Sequence, residues 1–302
     1  MLDNKTVIII AGPTAVGKTA LGIEAAQYFQ TEIISADSRQ CYKELNIGVA
    51  RPSVEELAAV PHHFIASHSI TEKVTAATFE QYALEKAGQL FQSNDVVVMV
   101  GGTGLYIKAF CEGLDEVPEV SQEIREQIIR SYQENGLEWL QREVQEKDPQ
   151  FYAVGETQNP HRLMRALEVI EATGQSIIDF RTGGKKERPF NIIKIALDLP
   201  REQLYDRINT RVDKMMEQGL VEEVRSVIPY KENNALQTVG YKEVFAYLDG
   251  EVSLEEATVL IKRNTRHYAK RQLTWFRKDL AYNWIAPEKD QLKSLLNRIN
   301  KG

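Results

Sequence analysis

The sequence predicts an α/β fold: a parallel sheet core flanked by helices and interrupted by a helical insertion domain. Three observations carry that reading. Continuous apolar runs alternate with helical periodicity through the first hundred or so residues, as in strand–helix–strand units whose strands are buried on both faces. A glycine-rich turn, Gly12-Pro13-Thr14-Ala15-Val16-Gly17-Lys18-Thr19, joins the first run to the first helix and matches G-x-x-x-x-G-K-[ST], the P-loop pattern. Between about residues 116 and 188 helix signals follow one another with no strand pattern among them.

Taken in order, Thr6–Ile10 (TVIII) reads as a buried parallel strand, and Leu21, Ala25 and Tyr28 fall on one side of the helix after the turn. A second strand, Glu32–Ala36, ends in Asp37-Ser38-Arg39-Gln40. Thr78–Phe91 has the spacing of an amphipathic helix. Val96–Val100 (VVVMV) is the most strand-like segment of the chain, stopped by Gly101-Gly102-Thr103-Gly104. Three loops, 12–19, 37–40 and 101–104, therefore fall at the carboxyl ends of parallel strands, where such sheets gather ligands. Ser121 caps a helix with Ile124, Ile128 and Tyr132 on one face, and Asn135-Gly136 ends it. Leu137–Lys147 is a further helix, and Asn159-Pro160 opens another that Gly174 closes. Residues 181–189 (RTGGKKERP) read as a flexible return to the strand Ile192–Leu197, and helices dominate from Arg201 onward. The expected domains are residues 1–115 with 189–302, a P-loop α/β core with C-terminal helices, and residues 116–188, the insertion.

The 302 residues are 43% hydrophobic and 26% charged, ordinary for a globular chain with room for a substantial core. No run reaches about 18 apolar residues, so no membrane-spanning helix is expected. The start, MLDNKTVIII, has neither the basic region nor the cleavage site of a signal peptide. Cys41 and Cys111 lack metal-type spacing, and a reducing cytoplasm is the simplest setting. His62, His63 and His68 are close in sequence, but nothing completes a zinc site, so they are expected on a loop or the surface. The net charge of −6 argues against a general nucleic-acid binder. Yet residues 257–278 contain no acid, and carry Lys262, Arg263, Arg266, Lys270, Arg271, Arg277 and Lys278.

The P-loop implies a phosphate chain held with magnesium. Its glycines let backbone N–H groups turn inward, Lys18 neutralises charge, and the Thr19 hydroxyl can hold Mg2+. The motif does not identify the molecule that carries the phosphates. Many P-loop NTPases place an aspartate at the end of a second core strand, but VVVMV ends in glycines and Asp95 precedes it. The carboxylate near the phosphates is Asp37, suited to a general base or to capping the next helix. Thr103, in a glycine-lined turn, can bond a bridging or leaving phosphate oxygen, or cap a helix. Arg207 and Arg211 lie one helical turn apart and can close on an anion, or form a solvated face paired with Asp206 or Asp213. The basic stripe after residue 257, with His267 in it and Tyr268, Trp275 and Phe276 interleaved, suits RNA phosphates and an unstacked base. A solvated face packed by Leu273 and Trp275 is the other reading. Arg162 and Arg165 can add phosphate contacts, and residues 237–242 form a further polar, glycine-containing loop.

GPTAVGKT at 12–19, DSRQCY at 37–42, GGTGLY at 101–106, NPHRLMRALEV at 159–169, QTVGYKEV at 237–244 and AKRQLTWFR at 269–277 follow one another over nearly the whole chain. In that order they resemble the motifs of the tRNA dimethylallyltransferases, also called tRNA isopentenyltransferases. Related adenylate isopentenyltransferases share the phosphate loop but lack the later motifs. The zinc finger of eukaryotic members is absent, so the chain looks like the short bacterial form. The resemblance implies transfer of a dimethylallyl group from dimethylallyl diphosphate to N6 of adenosine 37 in tRNA, with release of diphosphate and Mg2+ as cofactor. It puts the diphosphate on Gly12, Pro13, Thr14, Ala15, Val16, Gly17, Lys18 and Thr19, with Thr19 on the metal and Arg207 or Arg211 closing the clamp. It makes Asp37, Thr103 and Lys18 the catalytic residues: Asp37 as base, Thr103 on the departing oxygen, Lys18 on the diphosphate.

The tRNA partner implied is an anticodon stem-loop with A36-A37. The contacts implied come first from Asp37, Ser38, Arg39, Gln40 and Thr103. Others come from His161, Arg162, Leu163, Met164 and Arg165, and from Gln237, Thr238, Val239, Gly240, Tyr241 and Lys242. The last group is Lys270, Arg271, Gln272, Leu273, Thr274, Trp275, Phe276 and Arg277. His161 stands where other members often carry glutamine. The adenine is expected to flip into a channel over the Asp37 loop while the insertion clamps the anticodon stem. A cytoplasmic monomer is expected. The alternatives are a P-loop small-molecule kinase using ATP and a non-catalytic RNA-binding NTPase switch.

Overall fold

The structure, a computed structural model, describes residues 5–299. These fall into two compact units, residues 5–111 with 187–299, and residues 112–186. The strands are β1 (Thr6–Ala11), β2 (Ile33–Ala36), β3 (His62–His63), β4 (Val96–Gly101), β5 (Asn191–Leu197) and β6 (Tyr282–Ile285). The helices are α1 (Lys18–Tyr28), α2 (Val54–Ala59), α3 (Ala76–Leu90), α4 (Gly104–Glu112), α5 (Gln122–Lys147), α6 (Pro149–Val154), α7 (Pro160–Thr173), α8 (Arg201–Glu217), α9 (Leu220–Ser226), α10 (Tyr241–Leu248), α11 (Leu254–Phe276) and α12 (Lys289–Ile299).

The six strands form one parallel sheet in the order β3-β2-β4-β1-β5-β6. The uninterrupted apolar character of β1 is explained by its place at the centre. Val7, Ile9 and Ala11 face one side, packed with Phe79, Phe110, Val224 and Val244 from α3, α4, α9 and α10. Ile8 and Ile10 face the other, packed with Leu21, Ile208 and Leu292 from α1, α8 and α12. Burial of each such valine or isoleucine side chain contributes about 1.5–3 kcal/mol, and a polar residue at any of these positions would forfeit it. The order also places the ends of β2, β4 and β1 side by side, so the loops after Ala36, Gly101 and Ala11 share one edge.

Two local expectations are corrected. His62 and His63 are not loop residues: they form β3, pairing with Ile33 and Ile34. A strand, β6, interrupts the C-terminal helices, and its four residues pair only with β5. The break expected at Asn135-Gly136 is present: Gly136, at φ 75° and ψ −170°, is non-helical and divides α5 into two helical segments across a kink. The expected caps are present at Ser121 and Asn159, whose side chains accept from Ile124 N and Arg162 N, and Gly174 closes α7 at φ 71°.

In the second unit α5, α6 and α7 pack around Leu140, Phe151, Leu163 and Leu167. Buried among them, Glu168 accepts Arg125 through Nε and Nη2 (both 3.2 Å) and Arg165 through Nη1 (3.0 Å). Removing a carboxylate that is only 8% exposed strands two guanidinium groups. Glu168→Ala is therefore expected to destabilise the protein by about 3 kcal/mol. Calorimetric melting checks this, and Glu168→Gln, which keeps an acceptor, should recover part of the loss.

Candidate active site

The P-loop leaves β1 and turns into α1 through Ala15 and Gly17, both at positive φ (64° and 107°), the tight turn that glycine admits cheaply. Gly17 is the N-cap of α1 and has no side chain to satisfy the helix's first amides, which makes that end a natural anion seat. Lys18 folds back over the loop, its Nζ donating to Pro13 O at 2.7 Å. Burial lowers the Lys18 ammonium to about pH 7; Arg211 adds to the fall and Asp37 opposes it. Arg211 is itself pulled below the ordinary arginine value by burial, with Glu56 opposing. Arg207, on the same face of α8, donates from Nη1 to Val16 O at 3.1 Å. Neither arginine is tied to Asp206 or Asp213; Asp213 pairs with Lys262. Lys18, Arg207 and Arg211 thus gather at the loop, with Asp37 acting on Lys18 and Glu56 on Arg211 from the acidic side.

Asp37, at the end of β2, accepts the amides of Arg39 (2.9 Å) and Gln40 (3.2 Å) on Oδ1. It closes a turn rather than capping a helix, because residues 38–41 are not helical. Among the described residues Oδ2 has no protein donor. Thr103 accepts from Ser38 N (3.0 Å) and donates to Ser38 Oγ (3.3 Å), so its side chain ties the two loops together and does not cap α4. The Tyr268 phenol is pushed up to about 12, first by burial and then by Asp37. Its ring remains 36% exposed, with the Arg271 guanidinium 5.7 Å from its centroid.

These pieces wall one cavity of about 1790 Å3, entirely within the first unit. Thr14, Ala15, Gly17, Lys18 and Thr19 line it, with Asp37–Gln40, Arg207 and Arg211, Gln237–Gly240, Lys242, and Arg271. Gly12, Pro13 and Val16 lie behind the lining and shape the loop. Thr103 is half-buried against Ser38, next to the lining. Lys270, Thr274, Trp275 and Arg277 are exposed on α11 or its end, outside the lining, and Leu273 packs inward against the sheet. Trp275 packs over Gly104, where a Cβ would lie 2.2 Å from Trp275 Cδ1. His161–Arg165 lie on α7 in the second unit, where Arg162 pairs with Glu156, Arg165 with Glu168, and Met164 packs on the core.

Three of the residues expected to touch RNA are interior instead, and a fourth, Gln272, is largely buried although it reaches the cavity wall. Leu163, Tyr241 and Phe276 are core side chains, at 0%, 0% and 1% exposure. Gln272 is buried because its amide bridges two loops: Oε1 accepts from Thr14 N (2.8 Å) and Nε2 donates to Gly102 O (2.9 Å). Each sits on the inward stripe of its helix, which a motif match does not reveal. The basic stripe is likewise divided. Lys262, Arg266 and Arg277 are engaged by Asp213, Asn209 and Asp198, while Lys270 and Arg271 remain available. Asp198, at the end of β5, is a carboxylate at the ligand edge that the sequence pattern did not single out, but Arg277 holds it (2.9 Å) away from the cavity wall. Residues 46–51 also line the cavity and were missed, because their backbone rather than a side-chain motif does the work.

A family model described as IPP transferase matches residues 40–279. The chain belongs to the IPP transferase family. Among IPP transferases and their relatives, it is 50% identical to a tRNA dimethylallyltransferase of Cytophaga hutchinsonii, over 94% of this chain and 93% of that protein. It is 52% identical to one of Christiangramia forsetii, over 92% of each. The full-length tRNA isopentenylpyrophosphate transferase of Bacillus halodurans has a similar structure, with a TM-score of 0.72 and 35% identity, covering 98% of this chain and 96% of that one. A eukaryotic dimethylallyltransferase solved acting on tRNA gives a TM-score of 0.78 at 25% identity, covering 95% of this chain and 75% of that one.

Proposed function

We propose that this chain transfers a dimethylallyl group from dimethylallyl diphosphate to N6 of adenosine 37 in tRNA, releasing diphosphate, in the cytoplasm. The observation that carries the reading is that a cationic phosphate loop and an acceptor carboxylate wall the same cavity. Its volume of about 1790 Å3 exceeds the ~300–1,000 Å3 of ordinary small-ligand pockets, leaving room for a purine beside a five-carbon diphosphate.

The chemistry needs both halves. Adenine N6 is a weak nucleophile because its lone pair is delocalised into the ring. The allylic C1 is a good electrophile because the double bond spreads positive charge as the leaving group departs. The N6–C1 bond forms, the C1–O bond breaks, the diphosphate leaves with the electron pair, and the N6 proton passes to Asp37. Lys18, the first amides of α1 and Arg211 stabilise the departing charge. Arg211 leads the arginine clamp, since Arg207 spends a nitrogen on Val16. The Thr103 hydroxyl rests on Ser38 Oγ at 3.3 Å, long for O–H···O, so the leaving oxygen can take it at little cost.

Magnesium would sit on this wall as an ion shared with the substrate. The described residues hold no group of three His, Cys, Asp or Glu that could build an all-protein site. Thr19 would be the residue that holds the ion, with diphosphate and water as the oxygen donors that this ion ordinarily takes. When bound it adds neutralising charge at the diphosphate.

The test is mass analysis of a tRNA with A36-A37 after incubation with dimethylallyl diphosphate and Mg2+. One added dimethylallyl group on A37, without ATP, is the expected product. ATP-dependent labelling of a small molecule with no RNA product would favour a kinase instead. The RNA face is tested separately. Arg271→Ala is expected to weaken tRNA binding by about three- to tenfold and to lower the salt slope by about 1, leaving diphosphate affinity unchanged. Filter binding across a salt series reads both.

A further inference from the structure

Glu223 of α9 holds a loop by three consecutive main-chain amides. Its Oε2 accepts Asn46 N (3.0 Å) and Ile47 N (2.7 Å), and its Oε1 accepts Gly48 N (2.9 Å). Tyr241, buried at the start of α10, donates its hydroxyl to the same Oε1 at 2.6 Å. Gly48 lies against that ring so closely that a Cβ would sit 2.6 Å from Tyr241 Cε2. Further along the loop, the carbonyls of Val49 and Ala50 accept Gln40 Nε2 at 3.1 and 2.9 Å. Gln40 N in turn donates to Asp37 Oδ1. Arg51 closes the segment by donating from Nη2 to the carbonyls of Tyr42, Lys43 and Leu45.

The bonds therefore run without a gap from Tyr241 through Glu223, the 46–50 backbone and Gln40 to the Asp37 turn. A carboxylate with four donors, three of them main chain, makes charge-assisted and stiff bonds. All four leave α9, so they serve the loop rather than the helix that carries Glu223. The loop they fix is cavity wall. We propose that Glu223 is a positioning residue for the transfer, holding the 46–51 wall and, through Gln40, the orientation of Asp37 toward the incoming purine. This rests on the prenyl-transfer reading above. Displacements of about 1 Å in a reacting pair cost about a hundredfold in rate, and Glu223 acts at that scale without touching the substrates.

Glu223→Gln keeps the shape but turns one acceptor oxygen into a donor facing main-chain amides. We expect kcat to fall about 10- to 100-fold, with affinities for inorganic diphosphate and for tRNA within about threefold of wild type. Glu223→Asp should recover part of kcat, and Tyr241→Phe should lower it by a few fold. A Glu223→Gln protein, assayed below its melting temperature, with kcat within twofold of wild type overturns the inference. So does a loss of kcat matched by an equal loss of diphosphate affinity, which would mark general damage to the site. If Glu223→Gln does not fold, Tyr241→Phe decides, and unchanged kcat there is equally fatal. Wild-type protein yielding no prenylated tRNA would instead remove the prenyl-transfer reading and this inference with it.

Discussion

Replacing Asp37 with asparagine is expected to lower kcat by about 10^2- to 10^4-fold while leaving the melting temperature and diphosphate affinity close to wild type. The structure makes this substitution more informative than alanine. Asp37 does two things: Oδ1 accepts the Arg39 and Gln40 amides, and Oδ2 has no protein donor among the described residues. Asparagine keeps an oxygen for the two amides and loses only the capacity to take a proton. Alanine loses both, and adds the cost of an unsatisfied turn, about 1 kcal/mol by analogy with helix caps. The pair separates the roles. Single-turnover rates with bound tRNA measure the chemical step, and thermal melts measure the turn. If asparagine retains kcat within tenfold while alanine melts early, Asp37 is a turn-former and another group accepts the proton.

How much of this was legible beforehand follows from which physics each feature uses. The sheet was readable because β1 and β4 carry apolar runs buried on both faces, and β2 and β5 are largely apolar, broken by Ser35 and by Lys194. Their expected limits agree with the structure to within a residue or so. β3 and β6 were not readable, because two- and four-residue edge strands owe their form to pairing with β2 and β5, a long-range fact. The phosphate loop was legible since it depends on local glycines, Lys18 and a helix start. The convergence of residues 37–40 on that loop followed from strand order, once parallel pairing was assumed. The division of α11 into RNA-facing and inward residues was not visible. Arg271 and Gln272 adjoin in sequence, yet one is exposed and the other bridges Thr14 to Gly102, a distinction set by which way the helix lies on the sheet. Glu223 was invisible for a different reason. Its partners are backbone amides, which every sequence has.

The second large effect concerns Lys18. Replacing it with alanine is expected to weaken diphosphate binding by roughly 10^2-fold, and the pH dependence of the wild type identifies the cause. In the free protein burial and Arg211 hold the ammonium at about pH 7, so above that pH the side chain is increasingly neutral. A bound diphosphate brings negative charge beside it and raises its value, so the complex holds a proton that the free protein has lost. The sign follows: affinity is at its full value below pH 7 and falls as pH rises above it. The slope approaches tenfold per unit, about 1.4 kcal/mol, until the raised value is passed. Calorimetry with inorganic diphosphate and Mg2+ at pH 8, in buffers of different ionisation enthalpy, should show proton uptake approaching one per site. Lys18→Arg should bind without that uptake, since a guanidinium stays charged throughout. The ligand-free protein should show the opposite trend. Between about pH 7 and 10 the unfolded chain holds the Lys18 proton and the folded one does not, so this residue's contribution makes stability rise with pH. The gap in melting temperature between Lys18→Ala and wild type should accordingly be widest at or below pH 7 and narrow toward pH 10. A diphosphate affinity flat from pH 7 to 9, or equal proton uptake by Lys18→Arg, would show that Lys18 is charged before the ligand arrives.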